Sequence, residues 1–204
     1  NTVAIGANRN FNPITLAAGH VRVHKYDGTD WIQVGQDIDG EAAWDESGYS
    51  VSLSSDGEKV AIGAINNDGN GNDAGHVRIY QNISGTWTQL GQDIDGEAIG
   101  DYSGNSVSLS SDGNTVAIGA TYNNGNGSDA GHVRIYENTS GSWSQIGQDI
   151  DGEAAGDLSG SSVSLSSDGN KVAIKEIPKR RCRDLNKLRN EVKIMEQLHH
   201  PNVL

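Results

Sequence analysis

The feature that most constrains the fold of this chain is a repeat with a period of 56 residues. Trp31, Trp87 and Trp143 are separated by that interval, and so are three copies each of the strings Gly-His-Val-Arg and Gly-Gln-Asp-Ile-Asp-Gly-Glu-Ala. A fixed period of this length is the signature of a repeat architecture, in which each unit buries its apolar face against its neighbours. The sequence therefore predicts a series of similar units.

Each unit contains four short segments that are typical of β-strands. In the second unit, residues 51–54, 60–64, 76–80 and 87–90 carry β-branched and aromatic residues, mostly alternating with polar or small ones. Gly, Asn, Asp and Ser fill the stretches between them, as expected for tight turns. Four strands in a unit of about 50 residues are typical of a propeller blade. We therefore predict a mainly β protein, a partial β-propeller of about three four-stranded antiparallel blades.

The repeated strings also resemble a known family. Ser-Gly-x-Ser-Val-Ser-Leu-Ser-Ser-Asp-Gly, Val-Ala-Ile-Gly-Ala and Gly-His-Val-Arg-Ile-Tyr are similar to the FG-GAP-type repeat, which builds β-propellers such as the head of the integrin α-subunit. The resemblance covers residues 1–174 and implies an extracellular, non-catalytic binding or adhesion module whose ligand is a protein or a glycan. Residues 1–7 match residues 114–120, the middle of a blade, so we expect an incomplete propeller that belongs to a larger protein.

Charge and composition change abruptly at residue 175. Residues 1–174 contain 7 Lys and Arg against 23 Asp and Glu, whereas residues 175–204 contain 8 against 4, and every glycine precedes residue 175. The acidic part excludes nucleic acid and anionic membranes as partners, because their phosphates would be repelled. No apolar run is long enough to span a membrane, and the single cysteine, Cys182, excludes an internal disulfide framework.

Two acidic stretches are candidate calcium sites. Alternating oxygen side chains suit Ca²⁺, which takes six to eight oxygen ligands. The candidate ligands are Asp68, Asn70 and Asn72 in one stretch and Asp93, Asp95 and Glu97 in the other. Related calcium loops occur in integrin-like FG-GAP repeats. The alternative is that both stretches are plain turns, since Gly, Asn and Asp also favour left-handed loop conformations. The one histidine per unit is expected to pack between strands, and a metal-binding role is the less favoured alternative.

The last thirty residues differ from the repeat. Leu185, Leu188, Val192, Met195 and Leu198 form an amphipathic stripe, which predicts a C-terminal α-helix. We therefore divide the chain into residues 1–174, the propeller blades, and residues 175–204.

Residues 172–204 resemble the N-lobe of a protein kinase, most closely the calcium- and calmodulin-dependent serine/threonine kinases. Val-Ala-Ile-Lys ends at Lys175, Glu191 lies at the position of the helix-C glutamate, and His-Pro-Asn-Val follows. In a complete kinase, Lys175 would hold the ATP phosphates and Glu191 would pair with it. The resemblance thus implies ATP and magnesium only for a complete domain. The glycine-rich loop matches poorly, and the catalytic Asp and the metal ligands are absent from the sequence, so the chain as it stands is expected to be inactive as a kinase.

Three interpretations of the chain are possible, two of them functional and one an artefact. The favoured hypothesis is a non-catalytic propeller module that carries an incomplete kinase segment. The alternatives are the N-terminal fragment of a serine/threonine kinase whose catalytic loop lies beyond Leu204, and a chimeric sequence joined at residues 172–174, where both patterns share Val-Ala-Ile. Localisation follows the same division, because the propeller repeats favour an extracellular protein and the kinase segment favours a cytoplasmic one.

Overall fold

The structure, a computed structural model, describes residues 1–10 and 16–175. These residues form sixteen strands and no helix. The strands are β1 (Thr2–Ala7), β2 (His20–Tyr26), β3 (Trp31–Gln33), β4 (Ile38–Asp39), β5 (Ser47–Leu53), β6 (Lys59–Ala64), β7 (His76–Ile83), β8 (Thr86–Gln89), β9 (Ile94–Asp95), β10 (Ser106–Leu109), β11 (Thr115–Ala120), β12 (His132–Thr139), β13 (Ser142–Gln145), β14 (Ile150–Asp151), β15 (Ser162–Leu165) and β16 (Val172–Lys175).

The strands group into antiparallel sheets that follow the repeat. Strands β5–β9 form blade 2 in the order β5-β6-β7-β8, with β9 paired to the start of β7, and β10–β14 repeat this arrangement as blade 3. Blade 1 contains β1–β4, and β15 pairs with β16 in a final hairpin. The structure is thus a partial β-propeller, as the sequence predicts, and no described segment forms a helix that could cross a membrane.

The turns explain why the strands reverse so tightly. Strands β7 and β8 are joined through Ser84 and Gly85, both with positive φ, at 53° and 86°. Two central residues with positive φ make a turn whose twist matches that of the flanking strands. The sequence string Asn-Ile-Ser-Gly predicts a turn at this place, and the structure confirms it, although β7 extends further into the string than expected.

The inner strands of successive blades lie side by side. The amide of Leu109 in β10 donates to Ser52 Oγ in β5, and the amide of Leu165 in β15 donates to Ser108 Oγ, each at 2.9 Å. At the boundary between blades, the acceptor for the strand amide is thus a serine hydroxyl and not a backbone carbonyl. The serines that recur in the sequence therefore join one blade to the next.

The hydrophobic core lies between blades and not within them. Val21, Val23 and Ile38 of blade 1 pack against a face of blade 2 that contains Ile62 and Trp87. Equivalent residues of blades 2 and 3 form the next cluster, and β15 and β16 cover the other face of blade 3. Each blade therefore buries its apolar face only against its neighbours, which is the packing that the 56-residue period predicts.

We define the loop face as the side of the propeller at which β6 and β11 end. Residues 65–75 and 121–131 connect strands on this face, and residues 96–105, which lead from blade 2 to blade 3, pack on the first of these loops. The amides of Gly100, Tyr102 and Ser103 donate to the carbonyls of Asn72, Asp73 and Ala74 at 2.9–3.2 Å. The predicted C-terminal helix lies outside the described residues.

Candidate functional sites between the blades and on the loop face

A charged cluster lies where blade 2 meets blade 3 on the loop-face side. His132 and Arg134 are two residues apart in β12, so their side chains lie on the same face of the strand, toward blade 2. Glu97, from the connection after blade 2, places Oε1 3.4 Å from Arg134 Nη1 and Oε2 3.9 Å from His132 Nδ1. Asp149, which precedes β14, places Oδ2 3.8 Å from the same nitrogen. The cluster thus joins two blades through one imidazole, one guanidinium and two carboxylates.

The same arrangement occurs one repeat earlier, between blades 1 and 2. Glu41 Oε1 lies 3.1 Å from Arg78 Nη1, and Asp93 Oδ2 lies 3.7 Å from His76 Nδ1. Ligand atoms of Glu41, His76 and Asp93 all lie within 4.8 Å of one another, as do those of Glu97, His132 and Asp149. Arg78 also donates to the carbonyl of Asp39 at 3.0 Å. Two equivalent clusters therefore exist, one at each complete blade interface.

Blade 1 contains the equivalent residues His20, Arg22 and Asp37. Among the described residues, no preceding blade supplies a glutamate to them. Arg22 donates instead to Asp37 of its own blade, with Nη2 2.8 Å and Nε 3.0 Å from the carboxylate oxygens. This guanidinium lowers the pKa of Asp37 to about 2. The Asn10 side-chain amide lies 2.7 Å from His20 Nδ1. The cross-blade glutamate is thus what separates the arginine from the aspartate in blades 2 and 3.

Burial determines the protonation of the cluster histidines. His76 is 1% exposed, and burial, with the nearby Arg78 charge, lowers its pKa to about 4 against a weaker opposing effect of Asp93. Burial also lowers the pKa of His132. Both imidazoles are therefore neutral at neutral pH, and each has one nitrogen with a free lone pair. Arg78 and Arg134 lie over Tyr80 and Tyr136, each 5.5 Å from the ring centroid.

Two of the three predicted calcium ligands of the second acidic stretch lie in different clusters. Asp93 lies with His76, whereas Glu97 reaches across the blade boundary to His132 and Arg134. The main-chain carbonyl of Asp95, in β9, accepts a hydrogen bond from Arg134 at 2.7 Å. This stretch was expected to be a turn between units, but Ile94–Asp95 pairs with the start of β7 and belongs to the blade. Glu97 follows the end of β9 and lies in the connection to blade 3, which carries its carboxylate to the next blade boundary, away from Asp93.

The first acidic stretch forms a loop that its own hydrogen bonds hold. Asp68 Oδ1 accepts from the amide of Asp73 at 2.9 Å, and Asn70 donates to the carbonyl of Gly96 at 2.8 Å. In blade 3 Asn124 takes the role of Asp68, accepting from the Asp129 amide at 2.9 Å. An uncharged amide thus supports the same loop, so the loop conformation does not depend on a carboxylate. Calcium binding by Asp68, Asn70 and Asn72 stays a prediction.

Lys175, the predicted ATP-site lysine, is the last residue of β16. Strands β15 and β16 pair in the register of β10 and β11, so Lys175 faces Ser162 where Gly119 faces Ser106. The carbonyl of Lys175 accepts from Ser161 Oγ at 2.9 Å. The Val-Ala-Ile-Lys string therefore forms a propeller strand in this structure. Glu191 lies outside the described residues.

Sequence reasoning did not identify Trp44, which lies on the loop face in the connection from blade 1 to blade 2. Its side chain is 55% exposed and its φ is 74°. The residues one and two repeats later are Gly100 and Gly156, with φ of 77° and 80°. A bulky residue rarely adopts this backbone conformation. The signal that could have found Trp44 is present in the sequence, because it is an aromatic residue at a position that is otherwise glycine.

Comparison with known proteins supports the repeat and the fold. Residues 38–80 match the FG-GAP repeat family model, and no curated protein matches the chain significantly. The match spans the end of one unit and three strands of the next, the segment that contributes Glu41, His76 and Arg78 to the first cluster.

Two solved structures share the fold. A candidate 6-phosphogluconolactonase from Bacteroides uniformis aligns with a TM-score of 0.53 at 12% identity, over 78% of this chain and 41% of that one. The periplasmic gluconolactonase of Pseudomonas aeruginosa aligns with a TM-score of 0.52 at 17% identity, over 87% and 48%. The chain thus spans less than half the length of either, and at these identities the likeness shows the propeller fold alone.

Proposed function

We propose that the propeller repeats form a non-catalytic binding module and that its ligand docks on the loop face around Trp44. The FG-GAP match and the propeller fold support a repeat module of this general kind. The lactone chemistry named for the similar structures is not carried over, because the identities are 12% and 17% and the chain spans under half of each. The ligand class follows from the exposed side chains.

Trp44 is the observation that carries this proposal. Holding a non-glycine residue in the left-handed region costs about 1–2 kcal/mol, and the other units avoid the cost by using glycine. Strained backbone conformations are concentrated at functional sites, and the φ of Trp44 is the reason to assign a function to this residue. Ile99, also exposed, lies in the equivalent connection from blade 2 to blade 3.

We infer that a neutral glycan is the ligand that fits this face best. The exposed Trp44 ring gives a flat apolar surface, and the next loop on this face contributes the exposed side-chain oxygens of Asn70 and Asn72, which can accept hydrogen bonds from hydroxyl groups. The chain has a formal net charge of −12, so an anionic polymer would be repelled. A protein ligand is the alternative partner, as the resemblance to adhesion modules implies.

The test is affinity gel electrophoresis of the whole chain in gels cast with soluble neutral polysaccharides, such as xyloglucan, galactomannan and β-glucan. We expect at least one polymer to retard the wild type and Trp44→Ala to abolish the retardation. Trp31→Ala is the matched control, because Trp31 is 51% exposed but lies on the outer strand of blade 1. Absence of retardation by every polymer, or equal retardation of both variants, would contradict a glycan site at Trp44.

Calcium in the repeat loops is a separate proposal. Asp68, Asn70 and Asn72 remain the candidate ligands of the first stretch. In the second stretch Asp93 and Glu97 lie in different clusters, so Asp93, Asp95 and Glu97 would have to bind Ca²⁺ at separate sites. Titration calorimetry of the chelator-treated chain with millimolar CaCl₂ tests both sets. Heat that persists in Asp68→Asn but disappears in Asp95→Asn would assign the metal to the second stretch, and absence of heat would make both loops purely structural.

The kinase segment supports only a conditional proposal. If the natural protein continues with a complete kinase domain, Lys175 and Glu191 would contact ATP and each other, and magnesium would be needed. None of the matched proteins described above is a kinase, and residues 172–175 are accounted for by the blade repeat. Transcript sequencing from residue 160 onward tests this alternative, because it identifies whether a His-Arg-Asp loop or another blade follows.

A further inference from the structure

We propose that each of the two clusters between blades, Glu41–His76–Asp93 and Glu97–His132–Asp149, is a binding site for a divalent transition-metal ion of the Zn²⁺ type. In each cluster the three side chains come from two adjacent blades. A bound ion would therefore hold neighbouring blades together. These sites differ from the predicted calcium sites in two ways. Each uses a histidine nitrogen, and each takes its two carboxylates from the acidic stretches of two successive units.

The first argument is the state of the histidine. His76 is almost fully buried, yet its Nδ1 has no hydrogen-bond partner. The closest carboxylate oxygen, from Asp93, lies at 3.7 Å, which is beyond hydrogen-bond range. A buried imidazole nitrogen without a partner loses solvation with nothing in exchange, at about 1–3 kcal/mol. A cation placed between this nitrogen and the carboxylates of Glu41 and Asp93 would give the nitrogen a partner.

The second argument is the spacing. Two ligand atoms that each lie about 2.1 Å from a tetrahedral ion are about 3.4 Å apart. Around His132 Nδ1 the carboxylate oxygens of Glu97 and Asp149 lie at 3.9 and 3.8 Å. The two carboxylates therefore need to move by less than about 1 Å to reach these distances. Glu97 is exposed and Asp149 is half-buried, so their side chains can adjust while the buried imidazole remains fixed.

The third argument is the role of the arginine. Arg134 contacts Oε1 of Glu97 and leaves Oε2 facing the histidine, and it also donates to the main-chain carbonyl of Asp95. The guanidinium thus orients the carboxylate in the way that groups behind a metal ligand usually do. Arg78 contacts Oε1 of Glu41 and the carbonyl of Asp39 in the other cluster.

The donor set selects the class of metal. One neutral imidazole and two carboxylates suit Zn²⁺ and its first-row neighbours, whereas Ca²⁺ and Mg²⁺ take oxygen ligands. Three protein ligands also leave a position for water. Blade 1 differs from blades 2 and 3, because there His20 Nδ1 contacts the Asn10 amide and Asp37 accepts hydrogen bonds from Arg22. Among the described residues we therefore expect two sites and not three.

The experiment is a titration of the untagged, chelator-treated whole chain with ZnCl₂, followed by calorimetry, and with CoCl₂, followed by its visible absorption. Because His199 and His200 could also bind these ions, both are changed to Gln in every variant. We expect two sites with micromolar affinity in this background protein. His76→Gln and His132→Gln should each keep one site, and the variant that carries both changes should keep none. Zn²⁺ should raise the melting temperature of the background protein but not of the double variant. A millimolar excess of Ca²⁺ should not displace Co²⁺.

A second pair of variants keeps the test independent of folding. Glu41→Gln and Glu97→Gln change side chains that are largely exposed, and together they should weaken Zn²⁺ binding at least tenfold. Glu137→Gln, an exposed residue of β12 outside both clusters, is the matched control and should bind as tightly as the background. The proposal is wrong if the background protein binds no Zn²⁺ at millimolar concentration, or if the double histidine variant keeps both sites. Either result would make the clusters ordinary ion pairs.

Discussion

Blades approach each other closely at glycines, and changing Gly119 tests this packing directly. A Cβ added to Gly119 in β11 would overlap the carbonyl oxygen of Gly160 and stand 2.6 Å from Ser106 Oγ. The first obstacle is backbone of the following hairpin, which cannot rotate away. Ser106 Oγ donates to the same carbonyl at 2.7 Å, so the strands have no slack at this point. Gly119→Ala should therefore push β15 and β16 away from blade 3.

The size of the effect follows from three contributions. Overpacking of this kind costs about 1–3 kcal/mol. Loss of the Ser106–Gly160 hydrogen bond adds about 1 kcal/mol. The lower entropy of the unfolded alanine chain offsets about 0.4–1 kcal/mol. The net loss in the free energy of unfolding is about 1–3 kcal/mol, which corresponds to a fall in melting temperature of roughly 2–12 °C for a chain of this size.

Circular dichroism of the whole chain during heating measures this fall. Gly125→Ala is the matched control in the same blade, because a Cβ there meets only side-chain ends, Asn123 Oδ1 at 3.0 Å and Asp151 Oδ1 at 3.8 Å. It should change stability by less than about 1 kcal/mol. If Gly119→Ala melts within one degree of wild type, or no lower than Gly125→Ala, the interpretation of this glycine as a contact point between blades is wrong.

Three further outcomes are expected. Trp143→Phe should lower the free energy of unfolding by about 1–3 kcal/mol in urea denaturation, because the indole N–H donates to the Leu90 carbonyl at 2.8 Å, whereas Trp31→Phe, on an exposed ring, should change it by less than about 0.5 kcal/mol. Arg134→Met should lower it by a similar 1–3 kcal/mol, roughly, because two polar contacts to the preceding blade are lost, and a variant as stable as wild type would contradict that role. Purified chain should transfer no phosphate from labelled ATP, and any activity that disappears in Lys175→Ala would overturn the assignment of β16 as a propeller strand only.

The sequence predicts the fold well because the repeat is redundant. The same strand pattern occurs in successive units, so one ambiguous segment is corrected by its equivalents, and Ser84-Gly85 identifies a hairpin turn in blade 2 as Ser140-Gly141 does in blade 3. The two-residue strand β9 was not predicted, because Ile94–Asp95 is too short to show a period and forms only by pairing with the start of β7.

The candidate sites are less predictable because they form between units. Alternation along the chain groups Asp93 with Glu97, whereas the structure places these two residues in different clusters, and equivalent members of the two clusters are 56 residues apart. The partners of a side chain at a blade boundary depend on the twist between blades, which no local pattern encodes. The histidines illustrate the limit. Their regular spacing indicates packing, and only the structure shows that His76 and His132 each lie near two carboxylates.

Lys175 links the change in sequence at this position to the packing of blades. Gly6, Gly63 and Gly119 occupy the same position in β1, β6 and β11, and an added Cβ on each would overlap a backbone carbonyl of the next blade. In β16 this position is Lys175. A further blade therefore could not dock on β16 as β15 and β16 dock on blade 3. Lys175, which completes the kinase-like string, thus stands at a position where each preceding blade has glycine.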